Sequence, residues 1–112
     1  YQGKIFVKDV AQKTNAYQLS KALVLNDKAE FNAKPELEIY ADDVKCSHGS
    51  SSGSIDTDAI HYLMTRGIDA KTAKEFLING FLNDVLEKIS DTNIKSFLKS
   101  ILEGQINGHK KN

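Results

Sequence analysis

At 112 residues the chain is long enough to bury a real core, and 40% hydrophobic residues with four tyrosines and five phenylalanines suit one globular domain. Fifteen basic residues balance fifteen acidic ones, with the one basic cluster, His109-Lys110-Lys111, at the end of the chain; this argues against non-specific binding to nucleic acid or an anionic membrane surface. No apolar run approaches the roughly 18 residues of a membrane span, and a single cysteine excludes an internal disulfide and points to a reducing compartment such as the cytoplasm.

Residues 1–53 read as strands and form the first expected domain. The chain has no initiator methionine and opens directly into a strand-like run, so a fragment of a longer protein is expected. Ile5-Phe6-Val7, Leu23-Val24-Leu25 and Leu37-Glu38-Ile39-Tyr40 are short apolar or alternating runs. Turn-prone stretches separate them: residues 12–15, Asn26-Asp27-Lys28 and Pro35. The polar residues between the runs leave few side chains for a core. That suits either a stack of rungs that bury one another, as in a β-solenoid, or a meander of hairpins. Uneven spacing of the apolar peaks leaves both open.

Residues 54–112 form the second expected domain, where the period changes to that of helices. Asp56 predicts an N-cap, with Ile55 and Ile60 placed as a hydrophobic staple. The helix it opens carries Ile60, Leu63 and Met64 and stops at Gly67. Asp69 caps a second helix, expected to reach about Ile89, with Phe76, Leu77, Phe81, Val85 and Ile89 in one stripe widened by Ile78, Leu82 and Leu86. Asp91 caps a third, with Ile94, Phe97, Leu98, Ile101 and Leu102, ending near Gly104. Strands followed by segregated helices predict an α+β protein. An intramolecular core is the ordinary use of these stripes, and partner binding the less common one.

Residue types that carry chemistry are few. Gly49-Ser50-Ser51-Ser52-Gly53 lacks the Lys-Ser/Thr ending of a phosphate loop. No helical His-x-x-x-His, paired-cysteine knuckle or Gly-x-Ser-x-Gly elbow occurs. What remains is Cys46-Ser47-His48. On an extended chain Cys46 and His48 project to one face, and thiolate with imidazole suits iron, zinc or copper(I). Two ligands do not complete a tetrahedral site, so further ligands would have to come from elsewhere, including another chain. From spacing alone, packing is the default for Cys46 and a polar loop role for His48. A Cys46 nucleophile with His48 as base is a rival, without a visible orienting group or oxyanion donor. Asp42-Asp43 either neutralises a cation or opens a turn, the turn being favoured. His61 reads as a helix-surface residue and His109 as part of the tail.

Residues 34–49, KPELEIYADDVKCSHG, resemble the hallmark segment of the SufB/SufD family of the SUF iron–sulfur cluster assembly machinery, in its SufD branch. Residues 11–18 (AQKTNAYQ) and 62–68 (YLMTRGI) extend the resemblance over nearly the whole chain, fading in the last dozen residues. SufB members usually carry His-Glu in place of His48-Gly49, and Ser50-Ser51 here replaces a common Ala-Thr. The resemblance implies the last rungs of a right-handed parallel β-helix followed by a C-terminal domain of about three helices. It implies a non-catalytic scaffold that pairs with a SufB-like subunit and docks a SufC-like ATPase through its helices. His48 would handle iron or a transient iron–sulfur cluster at the SufB–SufD interface, beside a cysteine of SufB. Cys46 matches a family cysteine of less certain role and stays balanced between ligand and packing. The fragment alone is expected to bind no cluster and, with its rung edges exposed, to form a dimer or higher oligomer. Bacterial cytosol or a plastid-like organelle is the implied compartment. The rival within this reading is a purely structural interaction module without a metal role.

Overall fold

A strand whose immediate neighbour in sequence turns away must find its backbone partner elsewhere in the chain, and every strand among the described residues does so. In the computed structural model, which describes residues 1–108, β1 (Gln2–Val7), β2 (Asn15–Val24), β3 (Lys34–Ile39) and β4 (Lys45–Ser54) precede three helices. β1 pairs with β3 and β2 with β4, both in parallel, giving two separate two-stranded sheets. The chain makes two circuits of two strands each, the second stacked on the first, with Val7 opposite Ile39 and Asn15 opposite Lys45. Hairpins require antiparallel neighbours, so a meander is not formed among the described residues. The chain forms two units, Tyr1–Ile55 and Asp56–Asn112.

Within the first unit, alternation decides which side chains turn inward. Gly3, Ile5 and Val7 lie on the more buried face of β1, and Val7 is only 2% exposed. The other face carries Lys4, whose ammonium lies 2.8 Å from Glu38 and 3.6 Å from Glu36. The Glu38 carboxylate beside it holds the Lys4 pKa above its usual value. Phe6 and Tyr40 meet edge to face at 5.7 Å on the same side. In β2 the half-buried positions alternate through Ala16, Gln18, Ser20 and Ala22 and continue into Leu23 and Val24. The core is as thin as the sparse apolar runs predict.

Three strand features depart from expectation. Pro35, expected in a turn, lies in β3 opposite Gly3. Lys34 N–H donates to the Tyr1 carbonyl at 2.9 Å, and the alternation of a parallel ladder then aims position 35 at the open edge, where a missing N–H costs nothing. Asn15 through Ala22 join β2 although none of them falls in an expected apolar run, and the serine run 50–52 continues β4 without one. Both belong to one ten-residue ladder, in which backbone pairing outweighs weak strand preference.

In the second unit, aspartates open each helix. Asp56 accepts from the N–H groups of Asp58 and Ala59 at the start of α1 (Thr57–Thr65). Asp69 accepts from Thr72 N–H at 3.0 Å and from its hydroxyl at 2.7 Å at the start of α2 (Ala70–Leu86). The Thr72 hydroxyl, then its N–H, hold the Asp69 carboxyl below its usual pKa. Asp91 does the same for α3 (Thr92–Gly108), through Asn93 and Ile94 N–H. After α1, Gly67 takes φ +86°, with Gly67 N–H bonding the Met64 carbonyl and Ile68 N–H the Leu63 carbonyl. This is the Schellman closure that frees the chain to begin a new helix.

α2 ends three residues short of the expected Ile89, and its last turn closes with i to i+3 bonds from Lys88 and Ile89. α3 passes through Gly104, the expected stop, to Gly108. Ala73 and Leu86 are the buried residues of this unit among those described. Between α2 and α3 lies a cleft of about 270 Å³ floored by Leu82, Leu86 and Leu102 and rimmed by Asn79, Lys99 and Glu103. Phe76, Val85, Ile94, Phe97 and Ile101 remain exposed, Phe97 by 63%. The stripes are therefore only partly spent on packing within the chain.

Candidate functional site

Two strands and two turns build the surroundings of Cys46 and His48. β4 begins at Lys45 and carries both residues, two positions apart and so about 6.6 Å along the strand on one face. Ala16 lies opposite Cys46, and Gln18 opposite His48. The shared face is the more buried one of β2, and from it Gln18 donates to the Tyr1 hydroxyl at 3.2 Å, linking the two sheets. His48 itself is exposed and Cys46 half-buried.

The opposite face carries Tyr17 and Leu19 over Ser47 and Gly49. A Cβ at Gly49 would come within 2.8 Å of the Tyr17 hydroxyl. The glycine beside His48 thus leaves room for the tyrosine to lie across β4.

Among the described residues neither the Cys46 nor the His48 side chain has a hydrogen-bond or ion-pair partner, and no group of three histidine, cysteine or carboxylate side chains is placed to hold a metal. The pair offers two donors with free valence toward solvent. A nucleophile and base of the Cys–His kind needs a third group to orient the imidazole; none of the described side chains bonds it.

Asp42 and Asp43 open the turn before β4 and are exposed. Asp43 acts through its backbone: its N–H donates to the Gln12 side-chain oxygen at 3.0 Å, and its carbonyl accepts from Lys13 N–H at 2.6 Å. The Gln12 amide nitrogen donates in turn to the Asp9 carbonyl at 2.9 Å. His61 is exposed on α1, away from any partner among the described residues, and His109 lies outside them. Sequence reading passed over Gln12 and Lys13 as turn residues. The signal available was the motif AQKTNAYQ, which falls on this turn and the strand it feeds.

No helix among the described residues is long and apolar enough to cross a membrane. The family model described as SUF system FeS cluster assembly, SufBD core domain, matches residues 1–81. The iron–sulfur cluster assembly protein SufD of Escherichia coli K12 is 41% identical over 95 residues, 85% of this chain and 22% of that protein. An iron–sulfur cluster assembly SufBD family protein of Synechocystis is 41% identical over 99 residues, covering 88% of this chain and 22% of its own length. Protein ABCI7, chloroplastic, of Arabidopsis thaliana is 40% identical over 104 residues, 93% of this chain and 22% of that protein. The chain spans about a fifth of the length of these relatives. With the core-domain model covering most of its length and SufD proteins among its relatives, the chain belongs to the SufB/SufD family of SUF-system iron–sulfur cluster assembly proteins.

Proposed function

We propose that the chain is part of a non-catalytic scaffold subunit, in which His48 meets iron or a nascent iron–sulfur cluster at an interface with a SufB-like partner. The observation that carries this reading is the state of His48: exposed, its side chain without a bonding partner among the described residues, and two strand positions from the only cysteine. An imidazole so placed supplies one or, with Cys46, two ligands. Iron and its sulfide cluster need more, and a second subunit is the source that fits a solvent-facing donor pair. The cluster is cargo that the two subunits share. The stacked parallel circuits support a right-handed parallel β-helix as the architecture of the longer protein, these being its last rungs. The exposed apolar residues of α2 and α3 support docking of a SufC-like ATPase on the helical unit. The compartment that fits is the cytoplasm or a plastid-like organelle.

The test is His48→Ala in the full-length subunit, co-expressed with SufB-like and SufC-like partners. Complex assembly should persist while cluster formation falls to near background. An unaltered cluster yield would remove His48 from the reading. It would favour the alternative that the exposed faces support on their own, a purely structural interaction module.

A further inference from the structure

The two circuits do not match in length. Seven residues, 8–14, join β1 to β2, but only five, 40–44, join β3 to β4. Aligned strands therefore sit above turns of unequal span, and something must hold the long turn to the short one. An Ala11 N–H bond to the Lys8 carbonyl at 2.9 Å closes a tight bend in the long turn, with Val10 thrown out to 87% exposure. The remaining residues return to the short turn. Lys13 does so with φ +64°, the only positive φ outside glycine among the described residues. That conformation points its N–H at the Asp43 carbonyl. The Gln12 amide accepts from Asp43 N–H while donating to Asp9, and Thr14 takes Lys45 N–H at 2.9 Å as β4 begins. Both backbone groups of Asp43 are thereby fixed to the first circuit, five residues ahead of His48.

Register matters here because a strand displaced by one position turns every side chain to the opposite face. β4 has little of its own to resist displacement: Ser47, Gly49, Ser50, Ser51, Ser52, Gly53 and Ser54 supply almost no apolar pattern. We propose that Gln12 and Lys13 are positioning residues for His48. They clamp Asp43 so that β4 enters its ladder with Cys46 and His48 on the face shared with Ala16 and Gln18. The inference rests on the proposed role of His48 for its functional consequence, and on the turn geometry alone for its structural one.

A disulfide reports the register directly. Ala16→Cys, introduced into the full-length subunit, stands opposite the native Cys46 at a separation that parallel neighbours can bridge. Gln18→Cys, one diagonal away, reports a two-residue slip. Under mild oxidation Ala16→Cys should cross-link and Gln18→Cys should not. Adding Gln12→Ala should slow the Ala16→Cys cross-link at least several-fold. Lys13→Gly, which takes positive φ without strain, should keep the rate, and Lys13→Val, which resists it, should lose it. In the complex with SufB-like and SufC-like partners, Gln12→Ala and Lys13→Val should lower cluster yield several-fold while partner capture and helical signal stay level. A destabilising defect without a positioning role would lower all of these together. Unchanged cross-linking in Gln12→Ala, or equal loss in Lys13→Gly and Lys13→Val, would overturn the clamp whatever His48 does. A normal cluster yield in His48→Ala with the cross-link behaviour as expected would instead overturn the functional reading beneath it.

Discussion

Asp69 shows how much one side chain can settle locally. Its carboxylate holds both the hydroxyl and the N–H of Thr72, so its pKa sits below the ordinary 3.8. A group depressed in the folded state adds stability that is present above its unfolded pKa and lost as pH falls through the folded value. Asp69→Asn keeps an acceptor at the cap but removes the titration. Urea unfolding should therefore find the wild type ahead of the variant at pH 7, with the gap closing below about pH 3.8. A gap that ignores pH would mean that the charge does not contribute. His48 and Cys46 are the contrasting case at this scale, since no neighbour among the described residues bonds their side chains and their chemistry is left open to an incoming partner.

Glycine at two helical positions separates the elements by sign. Gly67 adopts φ +86° at the end of α1, and Gly67→Ala should cost about 1 kcal/mol because a Cβ crowds the left-handed backbone. Gly104 lies inside α3 with nothing within 4 Å of a built Cβ, and Gly104→Ala should stabilise by about 0.8 kcal/mol. Opposite shifts in thermal melting would confirm the pair; equal signs would contradict the assignment of α3 through Gly104. The same contrast explains what the sequence made legible. Asp56, Asp69 and Asp91 announced three helix starts because an N-cap is a local device that needs only its own next turn. Gly67 announced a stop because a second cap, Asp69, follows it closely. Gly104 has no such successor, and a lone glycine does not decide whether a helix continues. The strands were harder to read. β4 is largely serine and glycine, and it is a strand because β2 lies beside it at a distance of 30 residues, which no local pattern records. For the site, the spacing of Cys46 and His48 was readable, but the hold of Gln12 on Asp43 was not, because it joins residues 31 apart in sequence.

At the scale of the whole molecule, the surface is unusually ready for company. Each two-stranded sheet leaves two unpaired edges among the described residues, and Phe76, Phe97 and Ile101 are exposed on the helices. Open edges and apolar side chains both favour association. The isolated chain should form dimers or larger species as its concentration rises, and light scattering that reports only monomer at high concentration would contradict this. The relatives it matches are several times longer.

The unequal turns carry a last consequence, for how such a protein can change. Strands pair 32 positions apart in one sheet and 30 in the other, and the two-residue difference is taken up in the turns, leaving both ladders in step. The long turn is slack in a cable: residues can be gained or lost where Val10 already bulges outward without moving a strand. The short turn has no such slack, and an insertion beside Asp43 should disturb its bonds to Gln12 and Lys13 before it disturbs the strand that bears His48.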